Sequence, residues 1–326
     1  MTPQAKILFV AKPNSENFIV NYANHVGALL VTTSVNRIWE ADESGLYDYI
    51  IFEWANDLTA RALTKKFKTQ VIVRVHDHEV RKGRIDNIDW NYVDRVWFIN
   101  NAIKELFEKL KPGNDTFFLP NAVDHTPFYC KPTTDKSIGL LSIYARTRKR
   151  IDRALDLMRL LPDWHLTIRT EPDNPDINSN HDSRAYIQKL KDSAPDNVTW
   201  EMRPASFISE GYPKEDVNKF FRDKAVVLST SEHEGFHYAL AEGALCGCLP
   251  VVFNWEFGYP RDFWKPYVHN SIIEMAEAIK KYQPEDAVDA TGFVKHRFSP
   301  ETLVPVLIDM LKNPALVYSK GDFRQK

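Results

Sequence analysis

The sequence predicts an α/β protein of two Rossmann-like lobes. Three observations predict it: the length, an alternation of short strand-like runs with helical ones, and a polar break near the middle. At 326 residues the chain exceeds one small core and suits two lobes of roughly 100–200 residues each. In the first part, runs rich in β-branched and aromatic residues occur at 6–11, 29–32, 47–53, 70–75, 95–100 and 116–119, with helical stretches such as 58–67 and 101–110 between them. That order implies a parallel sheet with helices on both faces. The polar stretch Tyr129-Cys130-Lys131-Pro132-Thr133-Thr134-Asp135-Lys136 then interrupts the pattern and reads as a linker.

A second α/β run follows. Strands are expected at 138–143, 165–168, 198–200, 225–228 and 249–253, and a helix from about 149 to 161. In that helix Ile151, Ala154, Leu155 and Met158 fall at i, i+3, i+4 and i+7, one apolar face against a sheet. The Asp-, Asn- and Pro-rich segment 172–182 is long for an α/β loop and is suited to cover a ligand. The expected division is an N-terminal lobe over 1–130, a C-terminal lobe over 137–295, and a helix and tail over 296–326 that can return to the N-terminal lobe.

Composition narrows the function classes. A formal net charge of −2 gives no global pull toward nucleic acid or acidic lipid, so a polyanion site would have to be a local patch. The apolar run at 7–11 is too short for a secretion signal, and no stretch approaches the eighteen or so apolar residues of a membrane span. Three cysteines, Cys130, Cys246 and Cys248, fall far below a disulfide framework and favour a reducing compartment, hence the cytoplasm.

The most informative stretch runs from Ser229 to Val252. A strand leads into Ser231-Glu232-His233-Glu234-Gly235-Phe236-His237, then a helix to about Leu245, a turn at Gly247 and the next strand. In such a βαβ unit the helix N-terminus aims N–H groups at whatever lies above the sheet, a place suited to a diphosphate. Glu234 precedes the helix and Glu242 lies two turns in, so the carboxylates can serve different depths of one site. Arg146-Thr147-Arg148-Lys149-Arg150 puts four cations in five residues at a helix start, where they oppose the dipole unless an anion is bound.

With Phe118-Leu119-Pro120-Asn121-Ala122-Val123-Asp124 and Val75-His76-Asp77, these motifs resemble the Glu-x7-Glu family of retaining nucleotide-sugar glycosyltransferases, which includes sucrose synthases, glycogen synthase relatives and mannosyltransferases. The resemblance covers most of the chain and implies the GT-B (family 4-like) fold, two lobes facing each other across a cleft. It implies catalytic roles for Glu234, His76, Arg146 and Lys149: sugar hydroxyls for Glu234, the donor sugar for His76, the diphosphate for the two cations. It implies a ribose contact for Glu242 and donor contacts for Gly235, Phe236, His237, Arg150 and Arg203. Ala145 stands where the family has Gly, and Arg146 and Lys149 are closer together than usual.

On the acceptor side the candidates are Trp54, Asn56, Asp77, Arg81 and Lys82. The acceptor stays open among a glycan, a lipid-linked sugar, a small molecule and a hydroxymethylated base in phage DNA; the anionic ones would suit the basic run Arg81-Lys82-Gly83-Arg84. Fixed cations and helix N–H groups suffice to stabilise a leaving diphosphate, so no metal or other cofactor is expected. The run His76-Asp77-His78-Glu79 invites a metal reading, which ranks below sugar contact because adjacent residues seldom all reach one ion. The other readings are a nucleotide-sugar epimerase of similar fold and a binding protein without turnover.

Overall fold

The computed structural model describes residues 5–129, 131–171, 183–202, 213–255 and 260–313. They gather into two compact units, one of residues 1–124 and 297–326, the other of residues 125–296. Cys130, the loop 172–182 and Arg203 lie outside the described residues.

In unit 1, strands β1 (Ile7–Ala11), β2 (Gly27–Val31), β3 (Tyr49–Glu53), β4 (Gln70–Val75), β5 (Arg95–Phe98) and β6 (Thr116–Phe118) pair all in parallel in the order β2-β1-β3-β4-β5-β6. Both faces are covered, which is why the strands read as nearly continuous apolar runs. Leu8, Val10, Ile50, Phe52, Val73 and Phe98 face one core, while Ile7, Phe9, Ile51, Ile72 and Trp97 face the other. Helices α1 (Val20–Val26), α2 (Val35–Glu43), α3 (Asp57–Ala62), α4 (Asp77–Arg81) and α5 (Asn101–Leu110) connect the strands. Leu303, Leu307 and Met310 from the end of the chain pack in the second core.

The helix expected at 58–67 is shorter than its pattern. It stops at Ala62 because Leu63 leaves helical geometry (φ −84°, ψ 48°), and the Ala62 carbonyl accepts the indole N–H of Trp39 at 3.2 Å.

Unit 2 holds β7 (Ser137–Tyr144), β8 (His165–Glu171), β9 (Val198–Met202), β10 (Val226–Ser229), β11 (Leu249–Phe253) and β12 (Val268–His269), again parallel, in the order β12-β11-β10-β7-β8-β9. Its helices are α6 (Ile151–Arg159), α7 (Ser183–Asp192), α8 (Lys214–Phe221), α9 (Tyr238–Leu245), α10 (Pro260–Trp264) and α11 (Ile272–Lys280). The apolar face read from the sequence, Ile151, Ala154, Leu155 and Met158, packs on Ile138, Leu166 and Ile168 of the sheet. Helix α6 starts at Ile151 rather than at 149 because Arg150 is left-handed (φ 47°).

Helix α9 approaches the sheet more closely than a side chain allows. A Cβ on Gly243 would lie 2.7 Å from Val227 of β10, so only glycine permits that packing. Gly247 turns the chain at φ 83° into β11, while the flanking Cys246 and Cys248 are buried thiols that donate to Asn218 Oδ1 at 3.2 Å and Lys224 O at 3.1 Å. The cysteine pair thus serves packing. Helices α12 (Pro284–Phe298) and α13 (Pro300–Lys312) end the described chain. Among the described residues no helix is long and apolar enough to cross a membrane.

Candidate functional site

In an open parallel sheet, ligands bind outside the carboxyl ends of the strands, at the point where strand order reverses and adjacent loops diverge. Unit 2 reverses between β7 and β10, unit 1 between β1 and β3. Most of the sequence-predicted residues fall at these two points.

At the switch point of unit 2, the loop after β7 and the loop after β10 are tied together. Glu232 N donates to Arg148 O at 2.7 Å, Arg148 Nη1 to His233 O at 3.1 Å and Thr230 Oγ1 to Lys149 O at 3.2 Å. Between them Lys149 Nζ donates to Glu234 Oε1 at 2.5 Å, and Ser231 Oγ to the same oxygen at 2.7 Å. Arg148 Nη1 stands 3.6 Å from Glu234 Oε2, and His237 Nε2 3.7 Å from Oε1.

The electrostatics follow from burial and charge. Burial works against the Glu234 carboxylate, yet Lys149, His237 and Arg148 outweigh it and hold the group well below the usual carboxylate range. Burial, with Arg148 and Arg146 nearby, lowers the Lys149 ammonium against the pull of Glu234. His237 is pushed down to about 4, chiefly by burial, so it is neutral at neutral pH. Two cations, Arg148 and Lys149, therefore share one carboxylate, an excess of positive charge suited to an incoming anion.

Helix α9 begins at this cluster. Its N-cap is His237 in a left-handed conformation (φ 71°), with no side chain capping it. Phe236 turns the other way, 2 % exposed against Tyr238, Phe263 and Trp264, so its ring anchors the loop. Gly235 lies in the loop between them. Glu242, on the second turn of α9, is buried and paired with Lys214 of α8. Lys214 also lies over the Phe128 ring at 5.4 Å. Arg150 points back to its own helix, with Nε 3.0 Å and Nη2 2.8 Å from the Asp152 carboxylate.

Beside the switch point of unit 1, His76 follows β4 as the N-cap of α4 but is not open. Its Nε2 lies 2.8 Å from Glu53 Oε1, and Arg74 Nη1 donates to both Glu53 oxygens at 2.7 Å. Arg74 Nη2 reaches Asn121 Oδ1, and its guanidinium lies over the Trp97 ring. Burial opposes the charge of Glu53, but Arg74 and His76 hold its carboxyl below the ordinary value. Burial also lowers His76.

Glu79 receives the His76 amide at 2.9 Å. Burial, helped by Glu53, pushes its carboxyl up to about 8 against that amide and the amide of Ala55. Trp54 stacks on His76. Asn56 is the N-cap of α3, accepting from Leu58 N at 2.9 Å and Thr59 N at 3.2 Å, so its side chain is spent on the helix start. Asp77 and Arg81 pair with each other across one turn of α4, and Lys82, exposed, ends it. Among the described residues no group of three His, Cys, Asp or Glu is placed to hold a metal ion.

Sequence reasoning missed Glu53, Arg74 and Glu79. The available signal was a charged residue inside an otherwise apolar strand, Val71-Ile72-Val73-Arg74-Val75. A charge there requires a buried partner. Ser231 and Lys214 had no comparable signal.

Solved structures share this architecture. HepE from Anabaena, in complex with UDP-glucose, superposes with a TM-score of 0.67 at 14% identity over 94% of this chain and 99% of that one. Sucrose-phosphate synthase from Thermosynechococcus elongatus gives 0.66 at 14% identity over 94% and 98%. The fold is of GT-B type. TarM matches at 0.61 and 18% identity over 81% of this chain, which spans 55% of TarM. A curated relative, the tRNA-queuosine alpha-mannosyltransferase of Drosophila melanogaster, is 28% identical over 92 residues, 26% of this chain and only 24% of the fly protein. No family model matches the sequence.

Proposed function

We propose that the chain is a retaining glycosyltransferase that moves a sugar from a nucleotide-diphosphate sugar to an acceptor hydroxyl in the cytoplasm. The observation that carries the reading is the excess of cations around Glu234 at the switch point of unit 2. A sugar leaving a diphosphate gathers negative charge on the phosphate and positive charge on the anomeric carbon. Arg146, Arg148, Lys149 and the start of α9 answer the first. Glu234, kept ionised, is suited to hold sugar hydroxyls, and neutral His237 donates or accepts a hydrogen bond beside it. Glu242 takes the ribose once Lys214 yields. No metal enters this scheme.

The fold's solved neighbours include proteins crystallised with UDP and UDP-glucose, so UDP-sugars come first as donors. The fly relative's name, a tRNA-queuosine alpha-mannosyltransferase, puts a mannosyl donor and a nucleoside acceptor beside them. Product analysis with radiolabelled UDP-glucose and GDP-mannose tests the reading. The expected products are a transferred sugar or, without acceptor, slow hydrolysis to free sugar and nucleoside diphosphate, reduced at least 100-fold in Glu234→Gln. An epimerised nucleotide sugar, or hydrolysis unchanged in Glu234→Gln, would overturn it.

A further inference from the structure

The switch point of unit 1 is lined by rings. Trp54 leaves β3 with φ 74°, a left-handed conformation disfavoured for a bulky side chain. Its surroundings over-determine that choice. The Trp54 amide donates to Arg74 O at 3.0 Å, its carbonyl accepts Thr59 Oγ1 at 2.7 Å, and its indole Nε1 donates to Ser15 O at 3.2 Å. The indole is thereby laid on the His76 imidazole, with centroids 3.9 Å apart and planes at 16°. Phe18, from the loop after β1, meets it edge-on at 5.7 Å.

Exposure separates the three rings. His76 is 5 % exposed and its Nε2 is taken by Glu53, so it backs the indole from within. Trp54 and Phe18 are half-buried. Strain held this firmly beside a topological switch point suggests a side chain aimed for use. Lys12 is matched with Asp57 at 2.7 Å, Arg81 with Asp77 and Glu53 with Arg74, so what Trp54 offers is a face rather than a charge.

We propose that Trp54, backed by His76 and edged by Phe18, is a stacking platform for the flat face of an uncharged ring in the acceptor, and that Trp54 rather than His76 is the ring unit 1 presents to substrate. Naming that ligand the acceptor rests on the glycosyltransferase reading; the platform does not. Nucleobases and the C–H faces of sugars both stack on indoles, and the experiment separates these two sources.

The test is saturation-transfer NMR with guanosine and, separately, methyl α-D-glucopyranoside, in the presence of saturating UDP and GDP to fill any nucleotide site. Wild type is compared with Trp54→Phe and with Trp54→Gly, which accepts φ 74° without strain and so keeps the fold. The ring protons of one or both probes should be saturated in wild type, at least five-fold less in Trp54→Gly, and mostly retained in Trp54→Phe. Guanosine alone would mark a nucleoside acceptor and the glucoside alone a sugar. Saturation of neither probe, or equal saturation in Trp54→Gly, overturns the platform. Calorimetry of UDP and GDP on the same samples reads unit 2: if neither binds wild type, the donor reading falls while the probes still decide the platform.

Discussion

At the switch point of unit 2, Lys149 and Glu234 meet at 2.5 Å, with side chains 17 % and 9 % exposed; at that of unit 1, Glu53 and Arg74 meet at 2.7 Å with both side chains at 0 %. The strand orders differ in parallel. Taken in chain order, unit 2 has two strands on the far side of its first and three on the near side, the arrangement of dinucleotide-binding sheets, whereas unit 1 has one and four. Both place charge at the same topological point, but only unit 2 leaves cations in excess. The buried one-to-one pair of unit 1 reads as framework, whereas two cations on one carboxylate in unit 2 suit a ligand. In unit 1 the cluster supports rings, and the rings meet the ligand.

The largest expected effect breaks the framework cluster. Arg74→Met leaves the fully buried Glu53 with His76 alone beside it and should cost about 3–5 kcal/mol in urea unfolding. Lys149→Met should cost less, because Glu234 keeps Ser231 and Arg148. An equal or larger loss at Lys149 would erase the distinction between the two sites.

Next comes the helix that carries the unit 2 site. Gly243→Ala drives a methyl into Val227 and should cost about 1–3 kcal/mol. Adding Val227→Ala should recover part of that loss if the contact is the cause; additive losses in the double variant would count against it.

A further effect distinguishes the units by pH. Glu79, ordinarily near 4.5, is raised to about 8 in the folded chain. The folded state holds its proton more tightly, so that stability is complete below pH 4.5 and is lost as pH rises toward 8. His237, ordinarily 6.5, is lowered to about 4. Its stability is complete above pH 6.5 and is lost as pH falls toward 4. Urea unfolding across pH 4.5 to 8 should therefore lose its high-pH decline in Glu79→Gln and its low-pH decline in His237→Asn. Unchanged profiles in both variants would contradict the burial of these groups.

Much of this was legible in the sequence, for physical reasons. Strand and helix periods showed both sheets, because residues buried on two faces leave continuous apolar runs. The clustering of Arg146 to Arg150 and the Glu234 to Glu242 spacing pointed to the switch point of unit 2, since both flank strands that the topology sets side by side. What was hidden depends on backbone geometry. The left-handed turns at Trp54, Arg150 and His237 carry no glycine to announce them, and the pairing of Arg150 with Asp152 follows from such a turn. Asn56, proposed for the acceptor, has the composition of a helix cap and became one. The partners of Arg74 lie 21 and 47 residues away, and no local pattern predicts such pairings.

Calorimetric titration with UDP and GDP tests most directly the claim that unit 2 receives the donor. Wild type should bind at least one of the two. Arg146→Ala with Lys149→Ala should weaken it by tenfold or more, about 1.4 kcal/mol or above, while Arg81→Ala with Lys82→Ala, on the helix that follows His76, should bind like wild type. Equal affinity in all three proteins, or a loss confined to the Arg81 and Lys82 variant, would contradict the account.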